Sequence, residues 1–125
     1  MSTVSEPRLE TERLMLRPLM VEDFAGWAKF FADTEATRHL GGPRSAPRAW
    51  RDFLMIAGAW RIQGYSAFSL IDKVSGRWLG WSGPWHPVGW PGTEVGWCLA
   101  RDAWGQGYAV EQIHYMTSLG RGFLE

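Results

Sequence analysis

The most informative segment of the sequence is residues 94–109, which read Glu94-Val95-Gly96-Trp97-Cys98-Leu99-Ala100-Arg101-Asp102-Ala103-Trp104-Gly105-Gln106-Gly107-Tyr108-Ala109. Residues 94–100 predict a β-strand, and residues 108–119 predict a helix. Between them, Gly105 and Gly107 predict a turn. Glycine has no Cβ atom, and the first N–H groups of a helix have no intrahelical acceptor. A turn of this kind can therefore hold a pyrophosphate against its backbone.

Two common nucleotide-binding motifs do not account for this turn. A dinucleotide-binding fingerprint requires a third glycine where Val110 stands. A P-loop requires Gly-Lys followed by Ser or Thr, which the segment lacks. Taken alone, the pair Gly105 and Gly107 is also compatible with an ordinary turn between a strand and a helix.

Towards the N terminus, the sequence predicts a strand followed by a helix. Residues 11–19 contain Arg13-Leu14-Met15-Leu16-Arg17, in which charged and apolar residues alternate up to Pro18. Glu22 and Asp23 then place negative charge at the start of a helix. The apolar residues at helical spacing are Phe24, Trp27, Ala28 and Phe31.

A second helix is predicted between two end signals. Ser45 can cap its N terminus, Pro47 fits its first turn, and Gly64 ends it. The predicted buried stripe of this helix consists of Ala49, Trp50, Phe53, Leu54, Ala57 and Trp60.

Strands occupy most of the chain between the second helix and the glycine turn. Residues 65–72 and 77–85 predict strands joined by the hairpin turn Lys73-Val74-Ser75-Gly76. Residues 86–92 contain two prolines and two glycines and predict an irregular loop. The predicted order is strand, helix, helix, three strands, helix, which is a mixed α/β fold class. We expect a single domain over residues 1–125.

Composition narrows the range of partners. The chain of 125 residues has 13 Lys plus Arg and 13 Asp plus Glu, so no net field attracts nucleic acid or an anionic membrane. We expect a small-molecule or protein partner. No apolar run approaches the roughly 18 residues of a membrane span. The single cysteine, Cys98, cannot form an internal disulfide, and we expect a cytoplasmic protein.

Nine tryptophans are unusual for a chain of this length. Those in the second half are Trp78, Trp81, Trp85, Trp90, Trp97 and Trp104. A surface row of aromatic rings could stack on sugars or bases, whereas a small core filled by large rings needs no ligand. Their strand-like alternation favours the core and the walls of a pocket.

The residues Trp104-Gly105-Gln106-Gly107-Tyr108-Ala109 closely resemble the acyl-CoA pyrophosphate loop of GNAT N-acetyltransferases. The similarity is strongest to the Rim-type branch, which acetylates protein amino termini. Residues 9–19 look like the opening strand of that branch, and residues 90–97 resemble the start of its fourth strand. The resemblance spans residues 9–112. It is specific to the fold and the cofactor but leaves the acceptor amine open.

The resemblance implies acetyl-CoA as cosubstrate and no metal. Backbone N–H groups of residues 105–109 would hold the pyrophosphate, and the backbone near Trp97 and Leu99 would pair with the pantetheine arm as an added strand does. The expected cofactor-binding residues are Trp97, Leu99, Trp104, Gly105, Gln106, Gly107, Tyr108 and Ala109. Trp104 stands where many relatives outside this branch have Arg or Gln, so its side chain adds no charge to this loop.

Acetyl transfer to an amine needs a neutral amine, a stabilised oxyanion and a proton for the leaving thiolate. Glu94 is the candidate base, acting through water, and a solvated carboxylate at the strand end is the alternative. A backbone N–H near Leu99 is the candidate oxyanion donor. Relatives often use a tyrosine beyond the end of this sequence as the acid, and Tyr115 is only a distant substitute.

Other reactive side chains are weaker candidates. His39, His86 and His114 lack metal-ligand spacing, which argues against a zinc site. His86 could contact the acceptor from its loop, although a surface histidine is the simpler interpretation. Cys98 lies within an apolar strand and is expected to be a core residue rather than a nucleophile.

The family fold continues beyond the last predicted helix with further strands and another helix, whereas this sequence ends at Glu125. We therefore expect a GNAT domain that is incomplete at its C terminus. The first hypothesis is an N-acetyltransferase acting on a primary amine of a protein N terminus or a small molecule. The alternative is a non-catalytic remnant that binds CoA or a partner chain, including a second copy, through its open sheet edge.

Overall fold

The computed structural model describes residues 8–85 and 94–112, and its central feature is a five-stranded antiparallel sheet. The strands are β1 (Leu9–Glu10), β2 (Leu14–Pro18), β3 (Phe68–Asp72), β4 (Trp78–Trp85) and β5 (Glu94–Leu99). They lie side by side in chain order, and each neighbouring pair is antiparallel. Two helices, α1 (Phe24–Ala32) and α2 (Ala46–Gln63), lie between β2 and β3 in the chain.

The predicted mixed α/β class and element order are confirmed within the described residues. Residues 9–19, which the resemblance gave as one opening strand, are divided into the antiparallel pair β1 and β2. Two 3-10 turns, Val21–Asp23 and Arg101–Ala103, precede α1 and the glycine turn. Residues 108–112 are helical, as predicted, while the rest of that helix and the loop at 86–92 lie outside the described residues.

The predicted end signals of α2 are confirmed. Ser45 precedes the helix and its hydroxyl accepts a hydrogen bond from the backbone N–H of Arg48 at 3.3 Å. Pro47 occupies the first turn, where its missing N–H costs no intrahelical bond. Gly64 ends the helix with φ of 83°, a left-handed conformation that glycine adopts without a Cβ clash.

The predicted buried stripe of α2 is partly wrong. Ala49 and Phe53 are buried as expected, and Ile56 joins them, whereas Trp50 and Leu54 are 38% and 48% exposed. The predicted stripe was too wide, because an advance of about 100° per residue places positions 49, 53 and 56 on one line and positions 50 and 54 beside it. Ala57 and Trp60 are partly buried at its margin.

Side chains pack against both faces of the sheet. On one face, Trp27, Phe30 and Phe31 of α1 pack with α2 against Trp78 and Trp81. On the other face lie these core residues: Leu14, Leu16, Phe68, Leu70, Leu79, Ala103 and Tyr108. The segment that contains the glycine turn is therefore anchored to the sheet face opposite the helices. Because the segment starts where β5 ends, the turn is held at the edge of the sheet.

A buried ion pair ties the start of α1 to the sheet. Asp23 is 3% exposed and accepts hydrogen bonds from the Arg17 guanidinium at 2.7 and 2.9 Å. The same carboxylate accepts from the Ser69 hydroxyl at 2.8 Å and from the Met20 backbone N–H at 2.9 Å. Asp23, whose charge was predicted to favour the helix N terminus, thus also pairs with Arg17 of β2. Its hydrogen bonds to Arg17 and Ser69 link β2, β3 and α1.

Candidate functional site

Strand β5 approaches β4 closely because β4 carries a glycine at position 80. Gly80 pairs with Leu99, and its φ of 154° lies in a region that residues with a Cβ rarely adopt. A Cβ atom at Gly80 would lie 2.0 Å from the carbonyl oxygen of Cys98. The position of β5, and of the turn that follows it, therefore depends on this glycine.

The backbone of β5 presents some of its polar groups away from β4. The Ala100 N–H donates to the Leu79 carbonyl at 2.8 Å, so Ala100 faces β4. Because backbone groups alternate in an antiparallel ladder, those of Leu99 and Trp97 face the other side. Within the described residues, no strand pairs with that edge of β5. This edge is where the resemblance places the pantetheine arm.

Side chains hold the glycine turn in place through hydrogen bonds to main-chain carbonyl oxygens. The Trp104 indole N–H donates to the Leu99 carbonyl at 2.8 Å, and the Gln106 amide donates to the Asp102 carbonyl at 2.9 Å. Arg13 donates to the Gln106 carbonyl at 2.8 Å. Gly105 and Gly107 have φ values of 75° and 81°, which favour glycine over any residue with a side chain.

Arg13 and Glu111 form a clamp beside the turn. The Arg13 Nε lies 2.7 Å from Glu111 Oε1, and its backbone N–H donates to Glu111 Oε2 at 2.9 Å. Thr11 donates its hydroxyl to the same carboxylate, and the Arg13 guanidinium lies 4.3 Å from the centre of the Tyr108 ring. Sequence reasoning missed this clamp, because residues 98 positions apart carry no spacing signal.

The clamp changes the proton affinity of both groups. Burial by itself raises the pKa of Glu111, but hydrogen bonds from Thr11 and Arg13, together with the Arg13 charge, outweigh it and lower that pKa. The hydrogen bond that Arg13 donates to Glu111 raises the pKa of Arg13 in turn. The pair is therefore held in its charged form next to the turn.

Tyr108 follows the turn and points its side chain into the core. It is 6% exposed, and its hydroxyl donates to Asp72 at 3.3 Å. Backbone N–H groups of Ser75 and Val74, and then this tyrosine, lower the pKa of Asp72. With its side chain committed to the core, Tyr108 can contribute only main-chain atoms to a ligand at the turn.

A cavity of about 370 Å³ lies beside the turn. Five of the eight expected cofactor-binding residues line it together: Trp97, Leu99, Trp104, Gly105 and Ala109. Gln106 and Gly107 lie in the adjoining turn, and Tyr108 is the first residue of the helix that follows it. Trp97 and Trp104 are 43% and 47% exposed, so these two rings form pocket walls rather than core.

The opposite wall of this cavity comes from the region of α1, including Phe30 and His39. Sequence analysis considered His39 only as a metal ligand, and nothing in its spacing connected it to the glycine turn. The fold brings it there because α1 packs on the sheet beside β5. Within residues 8–85 and 94–112 there is no cluster of three or more His, Cys, Asp and Glu that could hold a metal ion.

The remaining candidates from the sequence stand as follows. Glu94 opens β5, as predicted, and pairs with Trp85, but its side chain lies outside the described part of the protein. His86, His114 and Tyr115 are also outside it. Cys98 is half-buried, and desolvation raises the pKa of its thiol to about 12, so the thiol remains protonated at neutral pH.

None of the described helices combines the length and the apolar character needed to cross a lipid bilayer.

Comparison with known proteins identifies relatives of the whole described region. The family model for the acetyltransferase (GNAT) domain matches residues 13–123. An uncharacterized N-acetyltransferase, p20 of Bacillus licheniformis, is 28% identical over 116 residues, which are 90% of this chain and 65% of that protein. The chain thus spans less than two thirds of the length of this curated relative.

Solved structures of acetyltransferases also match this chain. The crystal structure of an acetyltransferase from Agrobacterium tumefaciens is 32% identical, with a TM-score of 0.85, over 98% of this chain and 71% of the other. A ribosomal-protein-S5-alanine acetyltransferase from Vibrio fischeri has a TM-score of 0.65 at 19% identity, over 91% of this chain and 67% of the other. At that identity the second match shows the fold alone.

Proposed function

Because the chain belongs to the GNAT acetyltransferase family, we propose that it transfers an acetyl group from acetyl-CoA to a primary amine. The proposal rests mainly on one observation, which is that three structural features border the same cavity. These are the glycine turn at 105–107, the edge of β5 with which no strand of the described residues pairs, and the wall from α1. The motifs at 9–19 and 90–97 support the Rim-type branch, and with it a protein N terminus or a small-molecule amine as acceptor.

The residues at the turn fit the phosphate groups of CoA. A Cβ atom built on Gly105 would meet nothing within 4 Å, so the backbone there is open to a close ligand. Trp104 contributes no charge, but Arg13 lies on the other side of the turn, with Nη2 3.4 Å from where a Cβ of Gly107 would be. Backbone N–H groups at the start of a helix suit a pyrophosphate, and the Arg13 guanidinium, whose charge is balanced by Glu111, lies beside them.

The edge of β5 fits the thioester end. When bound, acetyl-CoA would supply an acetyl group already activated as a thioester. The Leu99 carbonyl accepts a hydrogen bond from the Trp104 indole. At this residue, the backbone N–H is therefore the group that can donate to a ligand at the edge of β5. An N–H at this place can stabilise negative charge that develops on the acetyl oxygen. Glu94, at the start of the same strand, is our proposed base, acting through water on the incoming ammonium.

An experiment on the turn tests the CoA site. Ala109 lines the cavity in the first turn of a helix, and Val110 beside it is 73% exposed and does not. A carboxylate near a helix N terminus does not harm the helix, but at Ala109 it would repel the pyrophosphate. We expect Ala109→Glu to weaken CoA binding at least tenfold and Val110→Glu to change it less than about twofold, measured by calorimetry.

Equal CoA affinity in the two variants would overturn the assignment of the turn. Gly107→Val is a poorer test, because at φ of 81° any side chain strains the backbone whether or not CoA binds there. Thiol release from acetyl-CoA with a panel of amines then tests catalysis. CoA binding without thiol release would favour the alternative, a chain that binds CoA or a partner but does not catalyse.

A further inference from the structure

Arg13 contacts the main chain of the glycine turn and not the cavity beside it. Its Nη1 donates to the Gln106 carbonyl at 2.8 Å, and Arg13 is not among the residues that line the cavity. The wall of the cavity at the turn comes from Gly105 and Ala109. Arg13 therefore holds the turn from outside the space assigned to CoA.

The hydrogen bond to Gln106 fixes the orientation of one peptide group. The peptide between Gln106 and Gly107 is trans, so its carbonyl and its N–H point in opposite directions. Because the Gln106 carbonyl points to Arg13, the Gly107 N–H points away from Arg13. Within the part of the chain that the structure describes, this N–H has no acceptor. It is therefore available to an oxygen atom of a bound phosphate.

Local sequence does not select this orientation of the peptide group. Gly105 and Gly107 have φ values of 75° and 81°, and glycine adopts positive and negative φ with similar ease. The peptide groups between two glycines can therefore take several orientations, only some of which turn an N–H towards a ligand. A contact from elsewhere in the fold can select one of them, and Arg13 supplies such a contact.

The Arg13 side chain is itself held on two sides. Its Nε donates to Glu111 Oε1 at 2.7 Å, and its guanidinium lies 4.3 Å from the centre of the Tyr108 ring. Glu111 also accepts hydrogen bonds from the Thr11 hydroxyl and from the Arg13 backbone N–H. The planar guanidinium has donors in a fixed fork, so it can bridge a carboxylate and a carbonyl at once, whereas a lysine ammonium is a point charge on a flexible stem.

The charge of Arg13 is already balanced. The Glu111 carboxylate lies 2.7 Å from Nε, and the two opposite charges cancel much of the field that either would exert on a more distant group. The geometry of the guanidinium, more than its charge, is therefore what Arg13 contributes to the turn.

We propose that Arg13 is a positioning residue for CoA: by holding the Gln106 carbonyl, it turns the Gly107 N–H towards the pyrophosphate. Glu111 acts one step further out, because it holds Arg13. Neither side chain needs to touch the phosphates. The proposal rests on the proposed acetyltransferase function and explains how its CoA site is kept in a binding conformation.

Three substitutions separate position from charge. Arg13→Lys keeps the charge but loses the fork that joins Glu111 to Gln106. Arg13→Gln removes the charge, and Glu111→Gln removes the balancing charge without altering Arg13. Arg48→Lys is the matched control, because Arg48 forms an ion pair with Asp52 on α2 at 3.8 Å and does not line the cavity beside the turn. Thermal melts verify that each variant folds.

Binding to the 125-residue chain is measured by calorimetry with three probes. These are CoA, dephospho-CoA, which keeps the pyrophosphate, and pantetheine, which has no phosphate. Arg13→Lys and Arg13→Gln should each weaken CoA and dephospho-CoA binding about tenfold or more, the value of one hydrogen bond to a charged group. Pantetheine binding should not change. Glu111→Gln should also weaken CoA binding, and Arg48→Lys should leave it within about twofold.

Two results would show that the Arg13 charge acts directly on the phosphates and would overturn the positioning role. One is an Arg13→Lys protein that binds CoA as tightly as the unmodified chain. The other is a Glu111→Gln protein that binds CoA more tightly, because its Arg13 charge is no longer balanced.

The probes distinguish the other outcomes. A loss for CoA but not for dephospho-CoA would place Arg13 at the 3′-phosphate, and an equal loss for pantetheine would leave Arg13 a general structural role. Either result would overturn the proposal while the unmodified chain still binds CoA, so the proposed function would stand. An unmodified chain that binds no CoA would refute the CoA site itself and the positioning role with it.

Discussion

Replacing Gly80 by alanine should destabilise the protein and displace β5. At φ of 154°, a residue with a Cβ is held in a region that costs about 1–3 kcal/mol. The new Cβ would also lie 2.0 Å from the Cys98 carbonyl oxygen and 2.9 Å from the Leu99 Cα, both of them backbone atoms. Relieving that contact weakens the pairing of Trp81 with Cys98, which is worth about 1 kcal/mol for one hydrogen bond.

The expected loss is therefore about 2–4 kcal/mol of unfolding free energy, a large part of the 5–15 kcal/mol typical of a small domain. For a chain of 125 residues this lowers Tm by about 8–16 °C. Circular dichroism during a thermal melt measures it directly. CoA affinity should fall as well, because the glycine turn follows β5.

Gly96→Ala is the matched control for Gly80→Ala. Gly96 lies on the neighbouring strand, has no positive φ, and has open space where its Cβ would be. Alanine there should be neutral or slightly stabilising, because glycine loses more backbone entropy on folding. Two results would refute the conclusion that β5 approaches β4 too closely for a Cβ atom at position 80. One is a Gly80→Ala protein that melts within about 2 °C of the unmodified chain. The other is an equal loss of Tm in the Gly80→Ala and Gly96→Ala variants.

The remaining predictions concern three carboxylates. Asp23→Ala should cost about 3–5 kcal/mol in urea denaturation, because Arg17 loses its buried carboxylate partner; a loss below about 1 kcal/mol would contradict a structural role for the pair. Glu111 has a folded pKa below its unfolded value of 4.5, so its stabilisation is complete above pH 4.5 and is lost as the pH falls through the folded pKa. Glu111→Gln should therefore flatten the acid side of the stability profile measured by urea melts, and an unchanged profile would argue against the clamp. Glu94→Gln should lower turnover and shift its pH profile while CoA affinity is preserved. An unchanged pH profile would favour the solvated carboxylate instead.

Much of the fold could be predicted because its signals are local. Ser45 and Gly64 mark the ends of α2 through their own backbone and side-chain chemistry, and both ends are confirmed. The order of strands and helices followed from apolar periodicity over a few residues. The width of the buried stripe on α2 was wrong, because helical geometry places positions 50 and 54 beside the line of positions 49, 53 and 56 that is buried. On α1, Phe30 is buried beside Trp27 and Phe31, although the predicted stripe did not include it.

The candidate site likewise has features that local sequence predicts and features that depend on tertiary structure. The sequence by itself determined the glycine turn, its position between a strand and a helix, and the family resemblance, since all of these reside in consecutive residues. Tertiary structure alone decided that Arg13 meets Glu111, that His39 reaches the cavity beside the turn, and that Trp81 has a buried N–H without an acceptor among the described residues. Each of these depends on sheet register and helix docking, which bring together residues that are distant in the chain. No local pattern encodes such distances.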